Sequence, residues 1–519
     1  MSILGIRSKG MSLLTVKFAL FVTVFLLVYY IVPKKDQWKC ILIANIVFLW
    51  IAGPLSLACV LVEAVVTYLA GRSIGRQNER YREEKRKLDR SSVDYKKRGK
   101  VLKEKKQRKV LVYTFSGIFL VVLLWLCSKA EIISWFTPVA ISYYTFIAVS
   151  YVAGLQQGKY EPETNFFRYL TFLSYFPQLT EGPFNRYDDM KDRLFSEHRL
   201  LCRNVTDGVL RMLYGYVKKM VLADSLLLLI DNLYGQSEKN GYAVILLILL
   251  LPMQQYSDFS GCMDIVLGLS SMLGISMKEN FRSPIFSKSI DEVWRRWHIT
   301  LGAFCKDYIF YPVALNKKLN AVSKKLARKH SKAGKMLPVL CSLACVWTFM
   351  GIWHGFAWKY LIWGWMNLFF IGSSLLLEDQ YIAIKNRLHI NGKGKAWSLF
   401  CIVRTYLLFG LMEFVADGNS AGSALHGIAG LLAAVWKFEP VRLCIQEVSA
   451  EISMVAVLGI ILLTLVVDIL KEKKQSVYMI FHRQPFGIKA MLVLMLFYCI
   501  ILFAPGGIDI NAGFAYAVF

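Results

Sequence analysis

The chain has 519 residues, of which 56% are hydrophobic and 19% are charged. A single soluble core does not need that many apolar residues, and runs such as Phe18 to Val32 and Met491 to Phe503 suit a lipid environment. The formal net charge of +26 would indicate nucleic acid as a partner of a soluble protein, but here Lys and Arg fall in short segments between apolar runs. We therefore predict an all-α, polytopic integral membrane protein with no nucleic-acid partner and roughly 10 to 13 transmembrane helices or half-spans.

In chain order, residues 1–70 are predicted to form the N-terminal transmembrane spans, with an uncleaved first span and a break at Gly53-Pro54. Residues 71–109 carry 17 Lys plus Arg against 6 acidic residues at near-helical spacing, which predicts a solvated helical arm, and a plain loop that sets the topology is the favoured interpretation of its role. Residues 316–335 carry 8 basic residues and no acidic one. Because cytosolic loops are rich in Lys and Arg, both basic segments are predicted to be cytosolic. Binding of anionic lipid head groups is a second role open to them.

Polar residues interrupt the apolar runs of residues 110–380, whereas residues 381–519 are predicted to form C-terminal transmembrane spans. One interruption, Tyr256-Ser-Asp258-Phe-Ser260-Gly, is of the kind that lines a cavity. The 11 cysteines include no Cys-x-x-Cys, and no metal-ligand spacing occurs in the sequence. Neither a disulfide framework nor a metal site is therefore expected.

Two of the seven histidines stand apart from the others, because each follows a tryptophan within a motif of aromatic residues. His298 follows Trp297, and His354 follows Trp353. Seven of the 13 tryptophans lie within residues 294–365, so aromatic side chains are expected to wall a pocket around both histidines. An imidazole in apolar surroundings stays neutral, which is the form that a general base needs. A hydrogen-bonded structural histidine is the alternative.

The same two histidines are expected at a similar depth in the membrane. His298 precedes the basic segment at Asn316 by 18 residues, and His354 follows the last lysine of that segment, Lys335, by 19. Two antiparallel helices leading away from the segment would bring both side chains to one level, although Pro312 makes the first of these a poor simple span.

Adjacent arginines, Arg295 and Arg296, precede His298. Guanidinium groups in tandem suit the phosphates of a coenzyme A or phosphopantetheine donor. Anchoring at the membrane edge is an equally good interpretation.

Several motifs give the sequence a resemblance to a known family. In chain order they are Phe176-Pro177-Gln178-Leu-x-x-Gly182-Pro183-x-x-Arg186-Tyr187, Asp258-Phe-Ser-Gly261-x-x-Asp264-x-x-x-Gly268, Asn280-Phe281, Trp294-Arg-Arg-Trp-His298, Asp307-Tyr308 and Trp353-His354-Gly355. On these residues the chain resembles the membrane-bound O-acyltransferase superfamily, on the branch of bacterial alginate O-acetyltransferases and teichoic acid D-alanyltransferases. The resemblance implies transmembrane helices around a central tunnel, with residues 110–380 as the catalytic core.

The resemblance also implies roles for individual residues. His354 takes the position of the catalytic histidine, and His298 that of the second histidine in the tunnel. Residues in and around the motifs are expected to bind substrate or donor: Arg186, Asp258, Trp294, Arg295, Arg296, Trp297, Asp307 and Trp353. No bound cofactor and no metal are expected, because the acyl thioester donor, acetyl-CoA or a carrier-linked acyl group, is a substrate.

The compartments follow from the same resemblance. The donor enters from the cytosolic side of the cytoplasmic membrane, and the polymer acceptor approaches from the outer side. Membrane lipid surrounds the chain, and a separate extracytoplasmic acyl-transfer protein is an expected partner.

These expectations predict a membrane O-acyltransferase that moves an acyl group, with acetyl favoured, from a cytosolic thioester to hydroxyls of an exported polysaccharide or cell-wall polymer. D-alanyl transfer to teichoic acid is the alternative within the enzyme class. A polysaccharide or lipid transporter is the alternative of another class, although the sequence shows no repeated halves of the kind common in transporters.

Overall fold

The computed structural model describes residues 13–88, 91, 94–130, 136, 138–179, 181–237, 240–329, 331–418, 422 and 436–504. No β-strand is assigned within these ranges. The α-helices are α1 Val16–Ile31, α2 Gln37–Ala52, α3 Pro54–Arg86, α4 Tyr95–Lys129, α5 Ile141–Gln156, α6 Phe166–Leu173, α7 Phe176–Leu179, α8 Tyr187–Phe195, α9 Cys202–Tyr216, α10 Asp224–Ser237, α11 Gly241–Met272, α12 Ile290–Arg296, α13 Ile299–Cys305, α14 Tyr311–Ala314, α15 Lys317–Lys329, α16 Ser331–His354, α17 Trp358–Leu376, α18 Glu378–Arg387, α19 Lys395–Asp417, α20 Phe438–Glu451, α21 Met454–Glu472, α22 Val477–His482 and α23 Phe486–Phe503.

Seven of these helices are long and apolar enough to cross a membrane: α3, α4, α11, α16, α19, α21 and α23. Helices α17 and α18 would make an eighth span, bent by 64°, and α1 is a shorter apolar helix. The described residues confirm an all-α, multi-pass membrane protein. Within the described residues these seven or eight candidate spans are fewer than the roughly 10 to 13 spans or half-spans predicted. Part of the predicted C-terminal region, residues 419–421, 423–435 and 505–519, lies outside the described residues.

The described chain divides into two compact units. The first contains the residues up to Thr206 together with Leu269–Met277, and the second contains Asp207–Gly268 and the residues from Lys278 onward. The boundaries expected from hydropathy and motifs, at residues 70, 109 and 380, do not follow this division, and they stay predictions.

In the first unit, the predicted break at Gly53-Pro54 is confirmed. Gly53 ends α2 with φ of +156°, a conformation that residues with a side chain rarely adopt, and Pro54 begins α3. The predicted basic arm is formed by the polar ends of two long helices, α3 up to Arg86 and α4 from Tyr95 onward, which pack on each other. The Phe176-Pro-Gln-Leu motif forms the short helix α7, whose residues are all buried.

In the second unit, α9 and α11 approach closely where glycines face each other. A Cβ on Gly215 would lie 2.6 Å from the carbonyl oxygen of Gly261, and a Cβ on Gly268 would lie 2.6 Å from that of Gly208. Small residues allow helix backbones to come this near in a membrane protein. After α9 the chain continues as a π-helical segment, Val217–Ala223, whose seven residues are all buried.

Candidate active site

His298 lies in the tight connection between α12 and α13, where its backbone is unusual. It is the residue preceding α13 and has the left-handed conformation, with φ of +47° and ψ of +50°. The backbone N–H of Ile299 donates to the carbonyl oxygen of Asn280 at 3.0 Å, which ties this connection to the segment after α11. The side chain of His298 is 3% exposed. A non-glycine residue held in this conformation is frequent at functional sites.

Asn280 fixes the orientation of the His298 ring. Its Oδ1 accepts hydrogen bonds from the backbone N–H and the hydroxyl of Thr300, at 3.0 and 2.9 Å. The amide nitrogen therefore faces His298, and Nδ2 donates to His298 Nδ1 at 3.0 Å. On this assignment from the hydrogen-bond network, Nδ1 is an acceptor, so the ring proton of neutral His298 resides on Nε2.

Burial also sets the charge of His298, which lies outside the candidate membrane spans. Loss of water around the ring, and in second place the nearby imidazole of His354, lower the pKa of His298 to about 3. Both effects disfavour the imidazolium form. The ring is therefore neutral at physiological pH and presents a fixed N–H donor.

His354 is the last residue of α16, and the ring of Trp353 lies close to both imidazoles. The ring centroid of Trp353 is 6.0 Å from that of His298 and 4.7 Å from that of His354. The two imidazole centroids are therefore no more than about 11 Å apart, the sum of these distances. The following residue, Gly355, has φ of +154°, and a Cβ there would lie 2.8 Å from the ring of Tyr360. The geometry agrees with the expected closeness of the two histidines, whereas their catalytic roles stay predictions.

Tryptophans form walls around the histidines, as the sequence suggested. Trp363 lies edge-on to His354, with ring centroids 4.8 Å apart, and Trp294 packs on Trp363 at 5.5 Å. On the other side, Phe259 of α11 meets the ring of His298 at 4.8 Å. This aromatic shell keeps water away from both imidazoles and strengthens any electrostatic interaction between them and a ligand.

Sequence reasoning missed two of the residues that support these walls. The indole N–H of Trp363 donates to the buried carboxylate of Glu413 at 3.0 Å, and that of Trp294 donates to Asn367 at 2.7 Å. A carboxylate inside an apolar run is a signal that could have identified Glu413. The motif residue Asn280 was noted without a role, because its contact with His298 depends on a backbone connection that the sequence does not reveal.

The predicted phosphate-binding arginines already have carboxylate partners. Arg295 is exposed and pairs with Asp291 one turn earlier. Arg296 pairs with Glu292 at 2.7 Å and with Glu472 at 2.5 Å. These contacts tie α12 to the end of α21 and leave less positive charge for a phosphate than the sequence suggested.

The other predicted binding residues have different surroundings. Asp258 is 1% exposed and pairs with Lys219 at 2.5 Å, and the same ammonium group binds Asp224 at 2.7 Å, so this cluster holds α11 to the π-helical segment. Asp307 is half-buried on a second π-helical segment, Lys306–Phe310, that packs against α16. Trp297 is buried and packs on Phe281, Tyr256 and Phe409. Arg186 precedes α8 in the first unit.

Among the described residues, no three His, Cys, Asp or Glu side chains are placed to hold a metal ion. What the site offers chemically is two imidazoles in an aromatic, water-poor setting, of which His298 is a fixed N–H donor. Such a pair can remove a proton from one group and stabilise negative charge on another.

Together, the fold and the site define a class of protein, a multi-pass helical membrane protein with a buried pair of histidines. Comparison with known families identifies the class more closely, because the model of the membrane-bound O-acyltransferase family matches residues 100–413, more than half of the chain. The chain belongs to this family, MBOAT.

Individual relatives are similar over part of their length. A probable alginate O-acetylase of Pseudomonas aeruginosa is 30% identical over 271 residues, which are 52% of this chain and 47% of the relative. A peptidoglycan O-acetyltransferase of Helicobacter pylori is 28% identical over 335 residues, 59% of each chain. A teichoic acid D-alanyltransferase of Bacillus subtilis is 28% identical over 230 residues, 43% of this chain and 55% of the relative. The chain thus spans about half the length of the curated relatives it matches.

Proposed function

We propose that this protein is a membrane O-acyltransferase that moves an acyl group, with acetyl favoured, from a thioester donor to hydroxyl groups of an exported polysaccharide or cell-wall polymer. The observation that carries the proposal is the pair of buried imidazoles that both lie close to the ring of Trp353. Family membership supports the reaction class, and the relatives named for O-acetylation of alginate and peptidoglycan support a polymer acceptor.

The two histidines have different tasks in the proposed mechanism. His354 removes the proton of the acceptor hydroxyl while its oxygen attacks the thioester carbonyl carbon, and His298 donates its Nε2–H to the carbonyl oxygen as negative charge develops there. The C–S bond then breaks, and the leaving thiolate takes the proton back from His354. The acyl group passes directly to the acceptor, so the reaction needs no covalent acyl-enzyme, no metal and no bound cofactor.

The proposal extends to the compartments. The protein resides in the cytoplasmic membrane, with the basic segments 71–109 and 316–335 in the cytosol, and the donor, acetyl-CoA or a carrier-linked acyl group, arrives from that side. The polymer acceptor is on the outer side, together with a separate extracytoplasmic acyl-transfer protein. The excess of Lys and Arg in the two segments supports this orientation.

Transfer of labelled acetyl groups tests the proposal. Proteoliposomes with the donor outside and a polysaccharide acceptor inside are prepared with the wild type, His354→Ala and His298→Ala. His389→Ala is the matched control, because His389 is exposed and lies outside the aromatic cluster. General-base catalysis is worth about 10²- to 10⁴-fold, so His354→Ala should fall to background while the control keeps wild-type turnover.

Two results would contradict parts of the proposal. Most of the wild-type rate in His354→Ala would remove this histidine from the mechanism. A wild type that transfers D-alanyl but not acetyl groups would move the assignment toward the relatives named for teichoic acid D-alanylation.

A further inference from the structure

A pocket in the second unit, separate from the two histidines, is lined in part by Trp297, and its lining is mainly apolar. It is formed by the middle of α11, the connection before α12, α12 itself and α19, with Met253, Ile285, Val293 and Phe409 among its walls. Its volume, with the open mouth included, is about 380 Å³. The small free volume and the apolar lining of this slot suit a slender apolar group better than a sugar ring.

Two buried hydrogen-bonding groups line this slot. Ser287 is 1% exposed and Trp297 is 3% exposed. Neither the hydroxyl of Ser287 nor the indole N–H of Trp297 has a hydrogen-bond partner among the described residues. A buried donor without a partner costs about 1–3 kcal/mol, so a ligand that supplies acceptors such as ester carbonyl oxygens would be stabilised here.

Two cationic side chains lie next to the slot. Lys288 follows Ser287, and Arg404 precedes Thr405, which also lines the slot. The Arg404 guanidinium donates to the carbonyl oxygen of Lys288 at 2.7 Å, so both residues belong to one rim. Both side chains are exposed, and within the described residues they donate to neutral oxygens, Lys288 Nζ to the hydroxyl of Ser398 at 3.2 Å and Arg404 to the carbonyl oxygen of Lys288.

The position of Arg404 within α19 gives the strongest argument. This helix is a candidate membrane span, and its neighbours Leu399, Val403 and Leu407 are 62%, 49% and 41% exposed, as lipid-facing residues are. An arginine on such a surface is costly unless it reaches an anionic partner. Trp397, nearer the start of α19, is of the residue type that is enriched at membrane interfaces. Arg404 lies about two turns further along the same helix.

We propose that this pocket binds one anionic glycerophospholipid. The head-group phosphate lies on Lys288 and Arg404, the ester carbonyl oxygens accept from Ser287 and Trp297, and the upper part of one acyl chain enters the apolar slot. The pocket and its chain neighbours thus supply cations, buried hydrogen-bond donors and apolar residues, which are the partners that the phosphate, the esters and the acyl chain of such a lipid need. This inference does not depend on the proposed acyl transfer.

Native mass spectrometry of the detergent-purified full chain with added phosphatidylglycerol tests the inference. The double variant Lys288→Gln, Arg404→Gln is compared with Lys393→Gln, Lys395→Gln, which removes the same charge at the start of α19 but away from the slot. The first should weaken the tightest lipid adduct at least tenfold, and the control should change it less than twofold. Ser287→Leu, which fills the slot and keeps both cations, should also weaken it. Size-exclusion profiles check that each variant is folded.

Three outcomes would overturn the inference. Equal weakening by both double variants would indicate general attraction of lipid to a basic rim, and an unchanged adduct in Ser287→Leu would remove the slot from the site. Displacement of phosphatidylglycerol by an excess of coenzyme A would assign the pocket to a soluble phosphate ligand in place of the lipid.

Discussion

Substitution of Asn280 is the most direct experimental test of how the ring of His298 is held. Replacing it with alanine removes the acceptor for the backbone N–H and hydroxyl of Thr300 and the donor to His298 Nδ1. The site is fully buried, so each of these three groups loses its hydrogen bond with Asn280 without gaining bulk water. At about 1–3 kcal/mol for each group, Asn280→Ala should destabilise the protein by more than about 3 kcal/mol.

Asn280→Asp separates the stabilising role from the proposed catalytic one. A carboxylate keeps the acceptor for Thr300, but it favours a proton on His298 Nδ1 and removes the N–H donor that now resides on Nε2. Stability should therefore fall less than in the alanine variant, while turnover should fall about 10²-fold or more. The nitrogen that carries the proton can be identified from the ring chemical shifts of ¹³C- and ¹⁵N-labelled histidine. An Asp variant with an unchanged tautomer and more than half of the wild-type turnover would refute this reasoning.

Three further predictions concern stability, measured by thermal or chemical unfolding in detergent. Gly364→Ala should cost about 1–3 kcal/mol, because its Cβ would lie 2.4 Å from a backbone oxygen of α16, whereas Gly459→Ala, with nothing within 4 Å, should cost nothing. Lys219→Met should cost about 3–5 kcal/mol, because it removes the ammonium group that pairs with two buried carboxylates, whereas Arg82→Gln, in an exposed ion pair, should leave stability unchanged. The pKa of His298 is lowered from 6.5 to about 3, so the contribution of the neutral ring to the free energy of unfolding is complete above pH 6.5 and is lost as the pH falls toward 3. Between pH 6.5 and 5, the free energy of unfolding of the wild type should therefore fall by about 2 kcal/mol more than that of His298→Asn.

The sequence predicted the features that depend on composition and local pattern. Apolar runs identified a multi-pass helical protein, Gly53-Pro54 marked a helix boundary, and most of the described residues of the basic arm are helical, as the spacing of its charges suggested. The tryptophan-rich region around His298 and His354 was also predicted. These features succeed because each is determined by residues that are near one another in the chain.

Contacts between distant segments could not be predicted in the same way. Arg295 and Arg296 look like free cations in the sequence, but the second pairs with Glu472, 176 residues away. Asp258 looks like a cavity-lining acid, but the π-helical turn after α9 brings Lys219 to it. Nothing in the residues of 217–223 signals that the α-helical repeat changes there, so the direction of the two lysines was hidden.

Interruptions of the helices are what position the two imidazoles. His298 is itself in the left-handed conformation and lies between two seven-residue helices. His354 lies at the end of α16, immediately before a glycine with positive φ. A histidine in the middle of a straight span would have its backbone N–H and carbonyl used within the helix, and its ring could turn only among a few rotamers. At a break, the backbone can instead be tied to a distant residue, as Asn280 does for Ile299, and the ring is fixed by the same residue. The short, interrupted stretch from α12 to α14 is therefore a requirement of the site, and it is also the reason that counting apolar residues gives an uncertain number of spans.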